Sequence, residues 1–381
     1  MNELHVHRIQ QTTLLIAHFA VALALNTSMP LLPILKSTLG LSVLETSVLP
    51  TLLTVSTAIA NLLAGFLIAH IGQKRLLMGG FLLMIGGTIL LALATSVMGI
   101  AIACFVMGIG IGWLFTALTT MFSGLPAEMQ NFGIYHSLFG MGGFLAPIIL
   151  NQTLRSGLSY RWLFAAYAAM LFLLFLTFFL NRSIENIRYP GASFRGMIAV
   201  LAGPLVSVSL LAFAAYAAVE IGTSNLSGIM SVDFYGLNEI SAGYILSGFW
   251  LAFSISRFFS EHLAKRFGGL RFLALCGVMS LGVVILWSVE AGAWMYVLAG
   301  LTFGPVFPVL QKWVNRQLEP EKRGLFNGMT YAFTGLGATI TLPIMGRLGD
   351  IRMSYAFIPS LVLIILFSVL LLFLDRLARK T

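Results

Sequence analysis

Residues 131–154 read NFGIYHSLFGMGGFLAPIILNQTL, and residues 326–349 read FNGMTYAFTGLGATITLPIMGRLG. Gly133, Gly140 and Gly142 of the first stretch recur as Gly328, Gly335 and Gly337 of the second, 195 residues on. Both stretches reach the roughly 20 residues that a helix needs to cross the hydrocarbon of a bilayer. The flanks of other apolar runs repeat in the same way. Leu41-Ser42 and Leu237-Asn238 each precede one, and Gly72 and Gly268 each follow, 196 residues apart. A membrane chain that resembles itself at half its length predicts an internal duplication, the plan on which many secondary transporters are built.

Twelve runs of this kind lie near 11–35, 46–69, 76–96, 98–122, 131–154, 160–181, 203–229, 240–264, 271–290, 292–317, 324–347 and 353–375. The composition agrees. The 381 residues are 59% hydrophobic and 9% charged, with a mean hydropathy of +0.95. A soluble domain carries about 25% charged residues. Lipid offers no partner to open backbone groups, so each run is expected to be a helix. The expected fold is an all-α membrane protein of twelve transmembrane helices in two six-helix bundles. Residues 1–181 form the first bundle, 182–196 a polar, basic cytoplasmic connector, and 197–381 the second. Each half starts inside and has an even number of spans, so the repeats are parallel, related by an axis along the membrane normal.

Charge placement tests the count of spans. With both termini cytoplasmic, sixteen Lys and Arg fall in cytoplasmic segments, five in outer ones, and Arg257 within a span. That is the positive-inside bias. The net charge of +9 is then a topology signal, and no soluble basic face exists for nucleic acid. The first apolar run is too long for a cleaved signal peptide. Cys104 and Cys276 lie inside runs four and nine and are expected to be structural thiols. No metal-spaced cluster, phosphate loop or hydrolase motif occurs, so no enzyme, cofactor or metal is expected, and transport would draw on a gradient.

The segment after the second run reads Gly65-Phe66-Leu67-Ile68-Ala69-His70-Ile71-Gly72-Gln73-Lys74. It resembles the G-x-L-a-D-r-x-G-r-k loop of the major facilitator superfamily, and the likeness extends over nearly the whole chain. The superfamily's aspartate, which the resemblance would make a latch on the cytoplasmic side, is replaced by Ala69, and by Lys265 in the second copy. Gly65, Gly72, Gly268 and Arg257 are the gating residues the resemblance implies. The fifth run does not match the antiporter motif G-x-x-x-G-P-x-x-G-G, because Pro147 stands away from Gly142-Gly143.

The second half is similar to the fucose/glucose/galactose permease group. The matching elements are Tyr216-Ala217-Ala218-Val219-Glu220, Phe249-Trp250, Ser256-Arg257-Phe258 and Gly304-Pro305-Val306-Phe307-Pro308. The first half departs from that group, whose spans one and four carry acids. Here span one offers His18 and Asn26, and span four has no charge.

Ionisable groups inside spans cost roughly 2.5–3.5 kcal/mol or more, so each needs a reason. Glu220 shares a helix face with Tyr216, Ser224 and Ser227, which suits either reversible proton binding or an interhelical hydrogen bond. His136, beside Tyr135, is the second candidate for proton coupling. Trp250 suits stacking on a sugar face or plain packing. Arg257 suits an anion, because its fork matches a carboxylate, or a cytoplasmic gate. The gate fits its place near the inner end of the span better. Asn26, Trp113, Tyr216, Ser224, Asn225, Trp250, Gln311, Asn327 and Tyr331 complete the expected binding residues.

These residues point to a monomeric secondary transporter of the cytoplasmic membrane. It would import a small polar solute, a sugar, with protons or sodium ions by alternating access. Two alternatives stay open. One is a proton-coupled antiporter exporting drugs, sugars or other metabolites. The other is a nutrient receptor that binds without flux.

Overall fold

The computed structural model describes residues 3–129, 132–181, 184–188, 194–289, 291–318 and 320–378. Among these residues the chain is helical and has no strand. The first half contains α1 (Glu3–Asn26), α2 (Ser28–Leu39), α3 (Val43–Ile71), α4 (Gln73–Leu93), α5 (Val97–Ser123), α6 (Phe132–Arg155) and α7 (Tyr160–Leu180). A short α8 (Phe194–Leu201) leads into the second half. There follow α9 (Pro204–Asp233), α10 (Glu239–Phe267), α11 (Gly269–Ser288), α12 (Met295–Phe303), α13 (Val306–Gln317), α14 (Pro320–Ile351) and α15 (Ile358–Ala378).

Ten stretches are long and apolar enough to cross a membrane, with α1–α2 and α12–α13 each counting as one. Two further rods, α10 and α14, have 29 and 32 residues and bring the long rods to twelve among the described residues. Both are less apolar because glycine, serine, threonine and tyrosine recur along them, as in Ser241, Tyr244, Ser247 and Ser254 of α10 and Thr330, Tyr331, Thr334 and Thr339 of α14. The twelve rods follow the order of the twelve expected spans. The protein is an all-α integral membrane protein.

Two spans are broken, and the sequence says why. Between α1 and α2 the Thr27 and Ser28 hydroxyls donate to Leu23 O (2.9 Å) and Leu25 O (2.7 Å), and Pro30 has no N–H for the turn before it. Between α12 and α13 stand Gly304 and Pro305. Helix starts are capped in duplicate. Ser42 Oγ accepts from Glu45 N at 3.1 Å, while the Glu45 carboxylate accepts from Ser42 N at 2.8 Å, a reciprocal cap. Its counterpart Asn238 Oδ1 accepts from Ser241 N at 2.8 Å.

The contacts divide the chain into two compact units. The first is Met1–Ser28 with Leu52–Ala192, and the second is Met29–Thr51 with Ser193–Thr381. In the first unit α1 packs on α6, and α4 on α5 and α7. In the second, α9 packs on α14 and α15, and α10 on α12. The repeated glycines serve the equivalent contacts. A Cβ on Gly142 would lie 2.8 Å from Leu23 N, and one on Gly337 would overlap Ala214 O. Helix backbones touch at both places, as small residues allow in membranes.

Residues 29–51 belong to the second unit and are tied there by polar contacts. Lys36 Nζ pairs with Asp233 Oδ2 at 2.8 Å, and Ser37 Oγ donates to Glu239 Oε1 at 2.7 Å. Asp350, at the end of α14, accepts from the first amides of α3, Val43 N at 2.7 Å and Leu44 N at 3.1 Å. A carboxylate is favourable there, because those amides lack an intrahelical partner and form the positive end of the helix dipole. Both cysteines are buried and unbonded.

Candidate functional site

The second unit brings four of the expected residues together. Tyr216 and Glu220 stand one turn apart on α9. The Tyr216 hydroxyl contacts the Glu220 carboxyl Oε2 and lies 2.8 Å from Phe303 O. Arg257, on α10, lies half-buried with its guanidinium 4.3 Å from the Phe253 ring centroid and 5.9 Å from that of Phe307. Its Nε donates to Gly304 O at 3.2 Å. The charge acts on Glu220, on Tyr216 and on Tyr331 of α14. No ion pair within 4.0 Å joins Arg257 to Glu220. Tyr331 leans on Phe307, with ring centroids 5.5 Å apart.

The break between α12 and α13 supplies the acceptors. Gly304 O has no donor four residues on, because Pro308 lacks an N–H. It accepts from Arg257 instead. Phe303 O, the last residue of α12, accepts from Tyr216. Sequence reasoning noted the Gly304–Pro308 element but missed these two carbonyls. Pro308 was the signal that could have found the Gly304 carbonyl, since it removes the donor four residues on; nothing in the sequence marks Phe303 O.

Other expected residues in this unit are engaged locally. Ser224 Oγ and Asn225 Nδ2 donate to Ile221 O, at 3.3 and 2.8 Å, and Ser227 Oγ donates to Ser224 O at 2.9 Å. Trp250 is 2% exposed and packs edge-to-face on Phe249 (5.3 Å) and Phe253 (5.2 Å). It is an aromatic core residue here rather than an open stacking platform. Gln311 is half-buried on α13, and its carbonyl accepts from Asn315 Nδ2 at 2.9 Å. The side chain of Asn327 lies outside the described residues. Gly268 takes φ +83° between α10 and α11, with nothing within 4 Å of the point where a Cβ would stand.

The first unit holds the remaining ones apart from that cluster. Asn26 is buried; its Nδ2 donates to Ala22 O at 2.8 Å, and its Oδ1 has no partner. Trp113 lies over Gly79 of α4, 3.0 Å from where a Cβ would stand, so it packs between helices. His136 is half-buried and edge-on to Tyr135 at 5.3 Å. Tyr135 in turn stacks on His18 at 3.9 Å and contacts Thr119 Oγ1 at 3.0 Å. His18 is 4% exposed, and neither of its ring nitrogens has a hydrogen-bond partner.

Of the expected gating residues, Gly65 is exposed and nothing crowds it. Gly72 has φ +89°, and a Cβ there would overlap the side chain of Asn186. Asn186, from the connector, reads both sides of this corner. Its Oδ1 accepts from Lys74 N (3.0 Å) and Arg75 N (3.2 Å), and its Nδ2 donates to Ile71 O (2.8 Å). Lys74 Nζ donates to Asn181 O at 2.8 Å. Asn186 thus caps the start of α4 beside the loop in which Ala69 replaces the aspartate. No local signal in the sequence marks it.

The family model described as Major Facilitator Superfamily matches residues 14–299 and 208–381. The nitrite extrusion protein of Bacillus subtilis (strain 168) is 23% identical over 354 residues, 88% of this chain and 85% of that protein. A voltage-gated purine nucleotide uniporter of Rattus norvegicus is 27% identical over 131 residues, 32% of this chain. The chain spans only 28% of that uniporter, and between 22% and 34% of several other relatives matched over short stretches. The crystal structure of the E. coli fucose:proton symporter FucP superimposes with a TM-score of 0.68 at 17% identity, covering 97% of this chain and 99% of that one. At that identity the likeness speaks for the fold alone.

Proposed function

The chain belongs to the Major Facilitator Superfamily, and from that premise we propose that it is a proton-coupled secondary transporter with Glu220 as the proton-binding group. It is a transporter of small solutes rather than an enzyme. The finer reading is alternating access in the cytoplasmic membrane, with both termini inside as the charge bias supports.

One observation carries the proton role. A phenol has a single proton to donate. Tyr216 stands between the Glu220 carboxyl and the Phe303 carbonyl, and a carbonyl can only accept. Tyr216 can therefore donate to the Glu220 carboxylate, or to Phe303 O when the carboxyl carries a proton and donates it to the phenol oxygen. Loss of that proton leaves a carboxylate that competes with Phe303 for the Tyr216 hydroxyl. Two protonation states thus have two hydrogen-bond arrangements at the break of a transmembrane rod. That is the coupling of proton binding to backbone geometry which alternating access needs.

A sugar is the solute class that the second-half motifs suggest, with symport as the mode. The local engagement of Ser224, Asn225 and Trp250 weakens that class and leaves the proton role intact. Export by antiport is the second reading, favoured by the extrusion named for the Bacillus relative.

The test is proton movement in proteoliposomes loaded with a pH dye, with sugars, amino acids and inorganic or organic anions added in turn. One compound should drive protons with it in the wild type. In Glu220→Gln the amide still donates to Tyr216 but carries no exchangeable charge. Coupled proton flux should fall to the level of empty vesicles while solute counterflow persists. Proton flux at the wild-type rate in Glu220→Gln would remove Glu220 from the mechanism.

A further inference from the structure

The same hydrogen inventory sets the charge of the site. In the state where Tyr216 donates to Phe303 O, Glu220 holds the proton and is neutral. Arg257 brings a guanidinium cation to the site. Its guanidinium has five N–H groups; Nε donates to Gly304 O at 3.2 Å, and a further hydrogen bond reaches Tyr216. Glu220 is too far for an ion pair. Among the described residues the titratable groups facing it are Tyr216 and Glu220 from α9 and Tyr331 from α14, while Glu261, one turn along α10, pairs with Lys312 at 2.6 Å. One positive charge in a transmembrane rod has aromatic faces, a carbonyl and the Tyr216 hydroxyl as its company, all of them neutral. Such a charge is costly unless a counter-charge joins it.

We infer that Arg257 is the recognition residue for a small monovalent oxyanion, which occupies the site together with the proton on Glu220. This rests on the proton role proposed above for Glu220 and names the substrate class of that site. Deprotonated, Glu220 supplies the counter-charge to Arg257 itself. Protonated, it withdraws that charge, and the anion takes its place. Proton and anion then enter and leave as a neutral pair, so the site never holds two uncompensated charges of one sign. The planar fork of the guanidinium suits a planar oxyanion held through two oxygens. Phe253 and Phe307 flank the guanidinium, which favours a small, flat solute over a bulky one. The reassignment also changes the expected role of Arg257: its partners are the solute and Glu220 rather than a cytoplasmic gate. The relatives named for nitrite and for purine nucleotides are named for anions.

The experiment has two readouts on the purified full chain. Thermal stabilisation by sodium nitrate, sodium nitrite, sodium sulfate and galactose is measured above and below neutral pH. Nitrate flux with its proton is then followed in proteoliposomes; nitrate is chosen because it does not cross lipid as a neutral acid. Nitrate or nitrite should stabilise the wild type, more so at acidic pH, and sulfate less. Arg257→Gln should lose both stabilisation and flux. Arg257→Lys, which keeps the charge without the fork, guards against a folding defect and should bind more weakly. Glu220→Gln should bind the anion with no dependence on pH.

Stabilisation by galactose alone, unchanged in Arg257→Gln, would overturn the anion assignment and leave the proton role of Glu220 standing. So would no stabilisation by either monovalent anion, or a stronger response to sulfate. Anion binding that needs Arg257 but is indifferent to pH in both wild type and Glu220→Gln would overturn the pairing with a proton, and with it the role of Glu220.

Discussion

The chemistry proposed for the second unit turns on a single phenolic proton. Tyr216 touches two oxygens and can satisfy one of them. The spacing of Tyr216 and Glu220 was legible, because residues four apart share a helix face. The partner Phe303 O was not, since a carbonyl has no side-chain signature, and Gly304 O was marked only by Pro308, which lacks the N–H it would accept from. His18 poses the opposite case. It is buried in an aromatic group with Phe115 and Tyr135, and both nitrogens lack a partner. An unsatisfied buried polar group costs about 1–3 kcal/mol. His18→Phe should therefore leave the melting temperature in detergent unchanged or raise it, provided His18 has no role in transport. A stable His18→Phe protein that has lost flux would instead assign His18 to the solute or proton path.

At the scale of elements, duplication is visible as geometry. Gly142 and Gly337 each bring two helix backbones into contact, α6 on α1 and α14 on α9. The periodic glycines announced close packing in the sequence, although the partner helix could not be read from them. Gly337→Val should push α14 from Ala214 O and destabilise by about 1–3 kcal/mol, the usual cost of overpacking. Gly142→Val should act in the same direction. Gly65→Ala, with open space at its Cβ, is the control and should melt with the wild type. Equal melting of all three would mean that the helices give way at no cost. The small polar side chains of the spans are used differently. Serine, threonine and asparagine side chains in spans return hydrogen bonds to their own helix, as Thr51, Thr120 and Asn225 do. Composition counts such groups as polar, but their donors are already used.

At the scale of the whole molecule, the units do not follow the midpoint of the chain. Residues 29–51 come from the first half of the sequence and pack in the second unit. Asp350 accepts from two free amides of α3, so Asp350→Ala should lower stability by about 1 kcal/mol. Asp350→Asn, which keeps an acceptor and loses the charge, should cost less. Lys36→Ala removes a partly exposed ion pair and should cost less than about 1 kcal/mol. Thermal melts of the three variants give the order directly. An unchanged melt for Asp350→Ala would show that apolar packing alone holds the segment.

The sequence by itself determined that this protein spans a membrane, that its rods are helices, that they come in two related sets, and where ionisable residues fall within the spans. These follow from local and additive properties: the length of each apolar run, the sum of charges on either side, and a repeat at one offset. Only the tertiary structure decided that Arg257 meets Gly304 O, Tyr216 meets Phe303 O, Asn186 caps α4 and Asp350 caps α3. Those contacts join residues 47, 87, 112 and 307 positions apart. Their partners are fixed by which helices lie side by side, and no property of either segment alone encodes that.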